Sequence, residues 1–193
     1  RAVMGNVPLK SVLGTQLFDY DKAENSAGWI RELEGEHTPE TEEYGISSFV
    51  YQTNQPFDAA KLWEFFNSEQ DFSGVLRSKG FFWVAANHSV AYEWAQAGGV
   101  SNVHASGIWQ AAMPKEYWAD LEDPEPEKGP NWHARFGDRM QQLVFIGQRM
   151  NEAAMRARLD GSLLDKDLAA GSSENWMKLH NPFPEFSMEE AAA

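Results

Sequence analysis

Histidine, cysteine and the acidic residues decide whether a chain can hold a metal ion or carry out acid–base chemistry. This chain has 5 histidines and no cysteine. No two histidines are three or four residues apart, which is the spacing that places two ligands on one face of a helix. Disulfides, cysteine nucleophiles and thiolate zinc sites are excluded because thiols are absent. The histidine spacing therefore predicts no helical metal site.

One acidic segment offers oxygen and imidazole groups close together in sequence, namely Glu36, His37, Glu40, Glu42 and Glu43. Carboxylate and imidazole groups suit several divalent cations. Acidic runs are more often solvated connectors than metal sites, and we prefer that interpretation. His37, Glu40 and Glu42 are retained as the candidate metal ligands.

A pair of cations stands out against the acidic background. Arg77 and Lys79 flank Ser78, and Gly80 follows at the entry to an apolar run. Such cations can bind an anion or the acidic surface of a partner, and glycine allows a backbone to approach closely. The alternative is a local salt bridge to a neighbouring carboxylate. We take Arg77, Lys79 and Gly80 as the candidate partner contact.

Motifs of nucleotide and hydrolase chemistry do not occur in the sequence. There is no GxxxxGK[ST] loop to cradle phosphates, no GxSxG elbow and no HExxH pair. Catalytic groups that are dispersed along a sequence leave no such pattern. We therefore expect no catalysis by this chain on its own, and no cofactor bound to it.

The charge of the chain restricts its partners. The formal net charge is -13, so a nucleic-acid backbone or an anionic membrane surface would be repelled, and neither is an expected partner. A hydrophobic content of 42% is enough for a packed core. No apolar run reaches membrane-spanning length. Together with the absence of cysteine, this pattern leads us to expect a cytoplasmic location.

The hydrophobic pattern from residue 44 onward predicts an α+β domain in the order β-α-β-β-β-β-α. The sheet is expected to be mainly antiparallel with about five strands, and both helices are expected to pack on one face as a second layer. The strands are predicted at 46–51, 79–86, 90–96, 100–109 and 141–146. Each helix is predicted from an apolar stripe, formed by Ala59, Leu62, Trp63 and Phe66 in one helix and by Met150, Ala153, Ala154 and Ala157 in the other.

Six blocks of sequence resemble, in order, the C-terminal domain of CobW-type P-loop GTPases. They are EEYGISSFVY at 42–51, VLRSKGFFW at 75–83, QAGG at 96–99, GIW at 107–109, GDR at 137–139 and LVFIG at 143–147. The resemblance implies that residues 1–40 are the closing segment of a preceding GTPase domain plus an acidic connector. Residues 41–186 would be the CobW C-terminal-like domain, and 187–193 a disordered tail.

What the resemblance implies for function is GTP-dependent delivery of zinc or cobalt, including in cobalamin biosynthesis. GTP with Mg²⁺, and the delivered metal, would belong to the full-length protein. The partners would be the chain's own N-terminal GTPase domain and a client metalloprotein. Relatives often carry histidine-rich tracts near this domain, and this sequence has none.

Three hypotheses follow. The chain is a non-catalytic regulatory or client-docking domain of a metallochaperone GTPase, a self-contained small-molecule-binding or catalytic α+β domain, or a domain that holds metal at its acidic connector. The absence of chemical motifs favours the first. The start at Arg1 rather than Met also favours it, because it suggests a piece of a longer protein.

Overall fold

A computed structural model describes residues 7–15, 45–120, 127 and 129–185. The chain separates into two compact units, residues 1–43 and 44–193. In the first unit, the described part contains a 3-10 helix, Leu9–Ser11, preceded by Pro8. The acidic segment with His37, Glu40 and Glu42 lies outside the described residues, as does the predicted tail at 187–193.

The second unit is built on a five-stranded sheet in which all neighbouring strands are antiparallel. The spatial order is β1-β5-β2-β3-β4, so the last strand in sequence lies between the first two. This confirms the predicted fold class. The strands are β1 (Ile46–Thr53), β2 (Val75–Phe82), β3 (Val90–Ala97), β4 (Val100–Ile108) and β5 (Gln141–Gln148).

In the part of the chain that the structure describes, four α-helices and several 3-10 helices accompany the sheet. The helix α1 begins after Asp58, whose carboxylate accepts hydrogen bonds from the backbone N–H groups of Ala60 and Lys61. No helix in the described part of the chain is long and apolar enough to cross a membrane. The helices are α1 (Ala59–Phe66), α2 (Glu152–Gly161), α3 (Lys166–Ala170) and α4 (Ser173–Trp176), with 3-10 helices at Ala85–Asn87, Gln110–Ala112 and Lys115–Asp120.

The two longer helices pack on the same face of the sheet, as the two-layer prediction requires. Phe65 of α1 and Leu159 of α2 are both fully buried in one core with Phe145 of β5. The apolar stripe predicted for α2 was wrong, because Met155 and Leu159 are the buried residues of that helix. These longer side chains bury more apolar area than the predicted alanines, and they therefore set which side of α2 faces the core.

The boundaries of β2 differ from the prediction of 79–86. The strand begins at Val75, directly after Gly74, whose φ of 84° turns the chain into the sheet. It ends at Phe82 because the backbone N–H and C=O of Trp83 bond to the side chain of Gln141 instead of to a strand. The apolar residues that follow pass into the 3-10 helix Ala85–Asn87.

Candidate functional site

The face of the sheet opposite α1 and α2 is termed the open face. In β1, β2 and β5 the alternate side chains on this face are exposed or half-buried, although many are apolar. Val50 and Phe81 are each 46% exposed and Ile146 is 38% exposed. The strand register places Val144 between Val50 and Lys79, and Ile146 beside Arg77. An apolar strip therefore crosses the sheet next to two cations.

Arg77 is a cation of the open face that has no partner among the residues the structure describes. Its side chain is exposed, and within the described residues it makes no hydrogen bond or ion pair. It lines a shallow groove of about 370 Å³ with Lys79 and Val100. A guanidinium group without an internal partner is free to bind a carboxylate through two parallel hydrogen bonds.

Lys79 is paired within the sheet. Its Nζ lies 2.9 Å from Oε1 of Glu93 on the neighbouring strand β3. The other oxygen of Glu93 lies 3.6 Å from Nε2 of His104 on β4. The Lys79 side chain is 57% exposed, so water screens this pair, and its contribution to stability is about 0–1 kcal/mol. Little free energy is therefore needed for Lys79 to leave Glu93 and pair with another carboxylate.

Gly80 has a structural explanation inside the domain. A Cβ atom at this position would overlap the backbone carbonyl oxygen of Gln142 on β5. The close backbone approach that the sequence suggests is therefore made by the domain's own neighbouring strand. A contact between Gly80 and a partner stays a prediction.

A buried polar network holds the segment that presents the two cations. Between Arg77 and Lys79, Ser78 points to the opposite side of the sheet and is 2% exposed. Its hydroxyl accepts a hydrogen bond from Nε1 of Trp94 at 2.7 Å and donates one to Oε1 of Gln96 at 3.2 Å. Since β2 and β3 are joined by side chains as well as by the backbone ladder, Arg77 and Lys79 project from a well-defined position.

The candidate metal ligands cannot be placed with these groups, because His37, Glu40 and Glu42 lie outside the described residues. Among the residues that the structure does describe, no three His, Asp or Glu side chains are grouped so that they could hold a metal ion.

Residues 46–163 match the family model for the cobalamin synthesis protein cobW C-terminal domain. The chain belongs to the CobW C-terminal domain family. It is 41% identical over 174 residues to the zinc-regulated GTPase metalloprotein activator 1 of Dictyostelium discoideum. That alignment covers 89% of this chain and 36% of the relative, so the chain spans about a third of the relative's length.

Two solved structures are also similar to this CobW C-terminal domain. A crystal structure of the Zn(II)-bound YjiA GTPase from E. coli matches 66% of the chain and 33% of that protein, at 17% identity and a TM-score of 0.46. A Zn(II)-bound triple mutant of the same GTPase matches 62% of the chain and 30% of that protein, at 16% identity and a TM-score of 0.44.

Sequence reasoning recognised the GDR block of the CobW C-terminal domain but gave its residues no role. In the structure, Asp138 accepts hydrogen bonds from the backbone N–H groups of Gln110 and Ala111 at 2.8 and 2.9 Å. Arg139 is only 9% exposed. The signal available in the sequence was a pair of opposite charges, Asp138 and Arg139, separated from the apolar run of β5 only by Met140 and Gln141–Gln142.

Proposed function

We propose that this CobW C-terminal domain is the non-catalytic regulatory and client-docking part of a GTP-dependent metallochaperone that delivers zinc or cobalt. The observation that carries the proposal is the open face, where an exposed apolar strip runs beside Arg77, which has no partner within the described part of the chain. Exposed apolar side chains with a polar rim are typical of interaction sites. Family membership and the zinc-regulated GTPase relative support the setting.

The proposed occupant of the open face is the GTPase domain of the same protein. The chain spans 36% of its Dictyostelium relative, and the remainder is long enough for such a domain. That part would bind GTP with Mg²⁺ and the zinc or cobalt to be delivered, and a client metalloprotein would be the second partner. We place this system in the cytoplasm.

A docking domain regulates its neighbour when it binds one nucleotide state of that neighbour more tightly than another. Coupling of this kind is typically worth about 1–3 kcal/mol. Arg77 would hold an acidic group of the GTPase domain through two hydrogen bonds. Lys79 would exchange Glu93 for a second acidic group, since the exposed pair between them is weak.

The proposal is tested by replacing both cations, Arg77→Ala with Lys79→Ala, in this chain and in the full-length protein. We expect the melting temperature of the chain to stay nearly unchanged, because both side chains are exposed. In the full-length protein we expect GTP hydrolysis, or its response to zinc and cobalt, to change about 5-fold or more.

The matched control is the double variant Lys61→Ala with Lys166→Ala. It removes the same number of exposed charges from α1 and α3 rather than from the sheet. If both double variants alter hydrolysis equally, net charge rather than docking is responsible. If neither alters hydrolysis or the metal response, the cations of the open face have no part in coupling and the proposal is wrong.

A further inference from the structure

A second concave surface lies away from the open face, around a small core that is separate from the main one. Trp83, Phe136 and Trp176 are the large side chains of this core. Together with three basic side chains they line a groove of about 290 Å³, termed the arginine groove. Its basic residues are His88, Arg135 and Arg139.

Arg139 is a buried cation, and none of the described residues that line the groove is acidic. Its Nε donates to the carbonyl oxygen of His88 at 2.6 Å, and Nη1 donates to that of Phe136 at 2.9 Å. No ion pair of Arg139 occurs within the described residues, and Nη2 has no hydrogen-bond partner there. Both oxygens of the nearby Asp138 accept backbone N–H groups instead. The negative charge of Asp138 offsets part of the charge of Arg139, but no carboxylate forms an ion pair with its guanidinium within the described residues, so this buried site favours an added anion.

Two more polar atoms in the groove's lining residues lack partners. Nε1 of Trp83 and Nδ1 of His88 are shielded from solvent and make no hydrogen bond in the described part of the protein. Trp83 is fully buried. An indole N–H that loses water without gaining an acceptor costs about 1–3 kcal/mol. The residues that line the groove therefore carry buried polar atoms whose hydrogen-bonding capacity is not met within the described residues.

The rim and walls of the groove fit an organic anion rather than a bare ion. Arg135 is exposed at the rim, with its guanidinium carbon 5.6 Å from the ring of Phe136 and 5.9 Å from that of Trp176. The guanidinium of Arg139 lies 5.8 Å from the ring of Trp83. Nη2 of Arg135 donates to the carbonyl oxygen of Gly171 at 3.0 Å, whereas its Nε and Nη1 make no hydrogen bond within the described residues. These donors can bind an anion, and the ring faces offer apolar contact.

We propose that the arginine groove binds a carboxylate attached to an apolar or aromatic group, held between Arg139 and Arg135. The ligand is either a small organic acid or the free C-terminal carboxylate of a peptide, since both present the same chemistry. A singly charged planar carboxylate matches one guanidinium edge. A phosphate dianion would need further donors to offset its larger desolvation cost. This site is independent of the open face, so its failure leaves the docking proposal standing.

The direct test uses the 193-residue chain and NMR of its indole N–H and arginine Nε–H groups. Five probes are titrated: 3-phenylpropionate, the uncharged 3-phenylpropanol, inorganic phosphate, the tripeptide Gly-Gly-Phe with a free C-terminus, and the same tripeptide with an amidated C-terminus. We expect saturable shifts of the Trp83 and Arg139 signals with 3-phenylpropionate and none with the alcohol. The Trp83 signal is assigned by its loss in Trp83→Phe.

The peptide arms distinguish the two sources of carboxylate. Tighter binding of the free tripeptide than of 3-phenylpropionate, lost on amidation, identifies a peptide C-terminus. The reverse order identifies a small acid. Phosphate binding at the same signals, without carboxylate binding, overturns the proposal, and so does the absence of saturation by any carboxylate probe.

The variant expected to disturb the fold least is Arg135→Gln, because Arg135 is exposed and its side chain makes a single hydrogen bond within the described residues, to the carbonyl oxygen of Gly171. Its melting temperature is compared with that of the unmodified chain. We expect it to weaken binding of 3-phenylpropionate about 10-fold, the effect of losing one hydrogen bond to a charged group. Arg77→Gln is the control, since it removes an equal charge from the open face, and it should leave the affinity unchanged. Arg139→Lys keeps the charge but loses the planar fork, and its binding should fall further. Equal effects of Arg135→Gln and Arg77→Gln would show that only overall charge matters, and the proposal would be wrong.

Discussion

The open face and the arginine groove each present two cations from an acidic chain, but in opposite physical settings. Arg77 extends from a strand into water and has no partner within the described residues. Arg139 is 9% exposed and holds two backbone carbonyls of its own domain. Water screens the first charge, whereas burial strengthens every interaction of the second. A cation of the first kind suits a contact that forms and breaks, and a cation of the second kind suits a fixed binding site.

The largest expected effect on stability comes from a substitution of Gly80, on the strand that carries the two cations of the open face. We expect Gly80→Ala to destabilise the domain by about 3 kcal/mol or more, because the added methyl group would overlap the carbonyl oxygen of Gln142 and force β2 and β5 apart. Urea unfolding measures this. Gly99→Ala in the β3–β4 turn is the control, since a Cβ there meets no atom within 4 Å. A stable Gly80→Ala chain with weakened partner binding would instead assign Gly80 to the interface.

The comparison of the two arginines predicts unequal effects on stability. Arg139→Gln should lower the free energy of unfolding by about 2 kcal/mol, since the carbonyls of His88 and Phe136 lose their donors inside the domain. Arg77→Gln should change it by less than about 0.5 kcal/mol. Denaturant unfolding of both variants provides the measurement. Similar decreases in the free energy of unfolding of the two variants would contradict the expected difference between an exposed and a buried cation.

A smaller effect on stability is expected when the pH is lowered, through the titration of His88 in the arginine groove. Burial, and then the nearby Arg139, lower the pKa of His88 below its ordinary value of 6.5. The unfolded chain therefore takes up the proton at a higher pH than the folded domain does. The stability contributed by neutral His88 is complete above about pH 6.5 and is lost as the pH falls through the lowered pKa.

The variant His88→Gln should therefore lose less stability than the unmodified chain between pH 7 and pH 5, when both are followed by thermal unfolding in buffers of equal ionic strength. Parallel pH profiles would show that His88 does not titrate differently in the folded domain. A steeper profile in the variant would mean that folding raises the pKa of His88 instead of lowering it.

The smallest expected effect is at the Lys79–Glu93 pair of the open face. A double-mutant cycle with Lys79→Met and Glu93→Gln should give a coupling energy of about 0–1 kcal/mol, which falls further at high salt because both groups are reached by water. Unfolding by urea, which unlike guanidinium chloride adds no ions, measures this coupling energy at two salt concentrations. A coupling above about 2 kcal/mol would mean that Lys79 is committed to Glu93 and unavailable to a partner.

The Lys79–Glu93 pair and the α2 stripe illustrate the limits of sequence reasoning about this fold. Strand alternation and turn residues report local preference, so the order of the five strands and the two longer helices and the sheet class were predicted correctly, whereas the short helices α3 and α4 were not predicted. A salt bridge for Lys79 was only one of two alternatives, because its partner belongs to another strand. The buried side of α2 was predicted wrongly, because the competition between its alanines and the larger Met155 and Leu159 is settled only by packing against the sheet.

The sequence by itself determined the family and the α+β class, because those features depend on local pattern and on ordered motifs. It placed Arg77 and Lys79 at the entry to a central strand, whereas in the structure both lie within that strand, β2. Only the tertiary structure decided what surrounds each charge. In the folded domain β5 lies between β1 and β2, so the carbonyl oxygen of Gln142 on β5 occupies the place of a Cβ atom at position 80. This explains why residue 80 is glycine. The tertiary structure also brought Trp83, Arg139 and Trp176 together from distant parts of the chain. Spacing along a sequence carries no record of such convergence, because it arises when apolar side chains from separate segments are buried together.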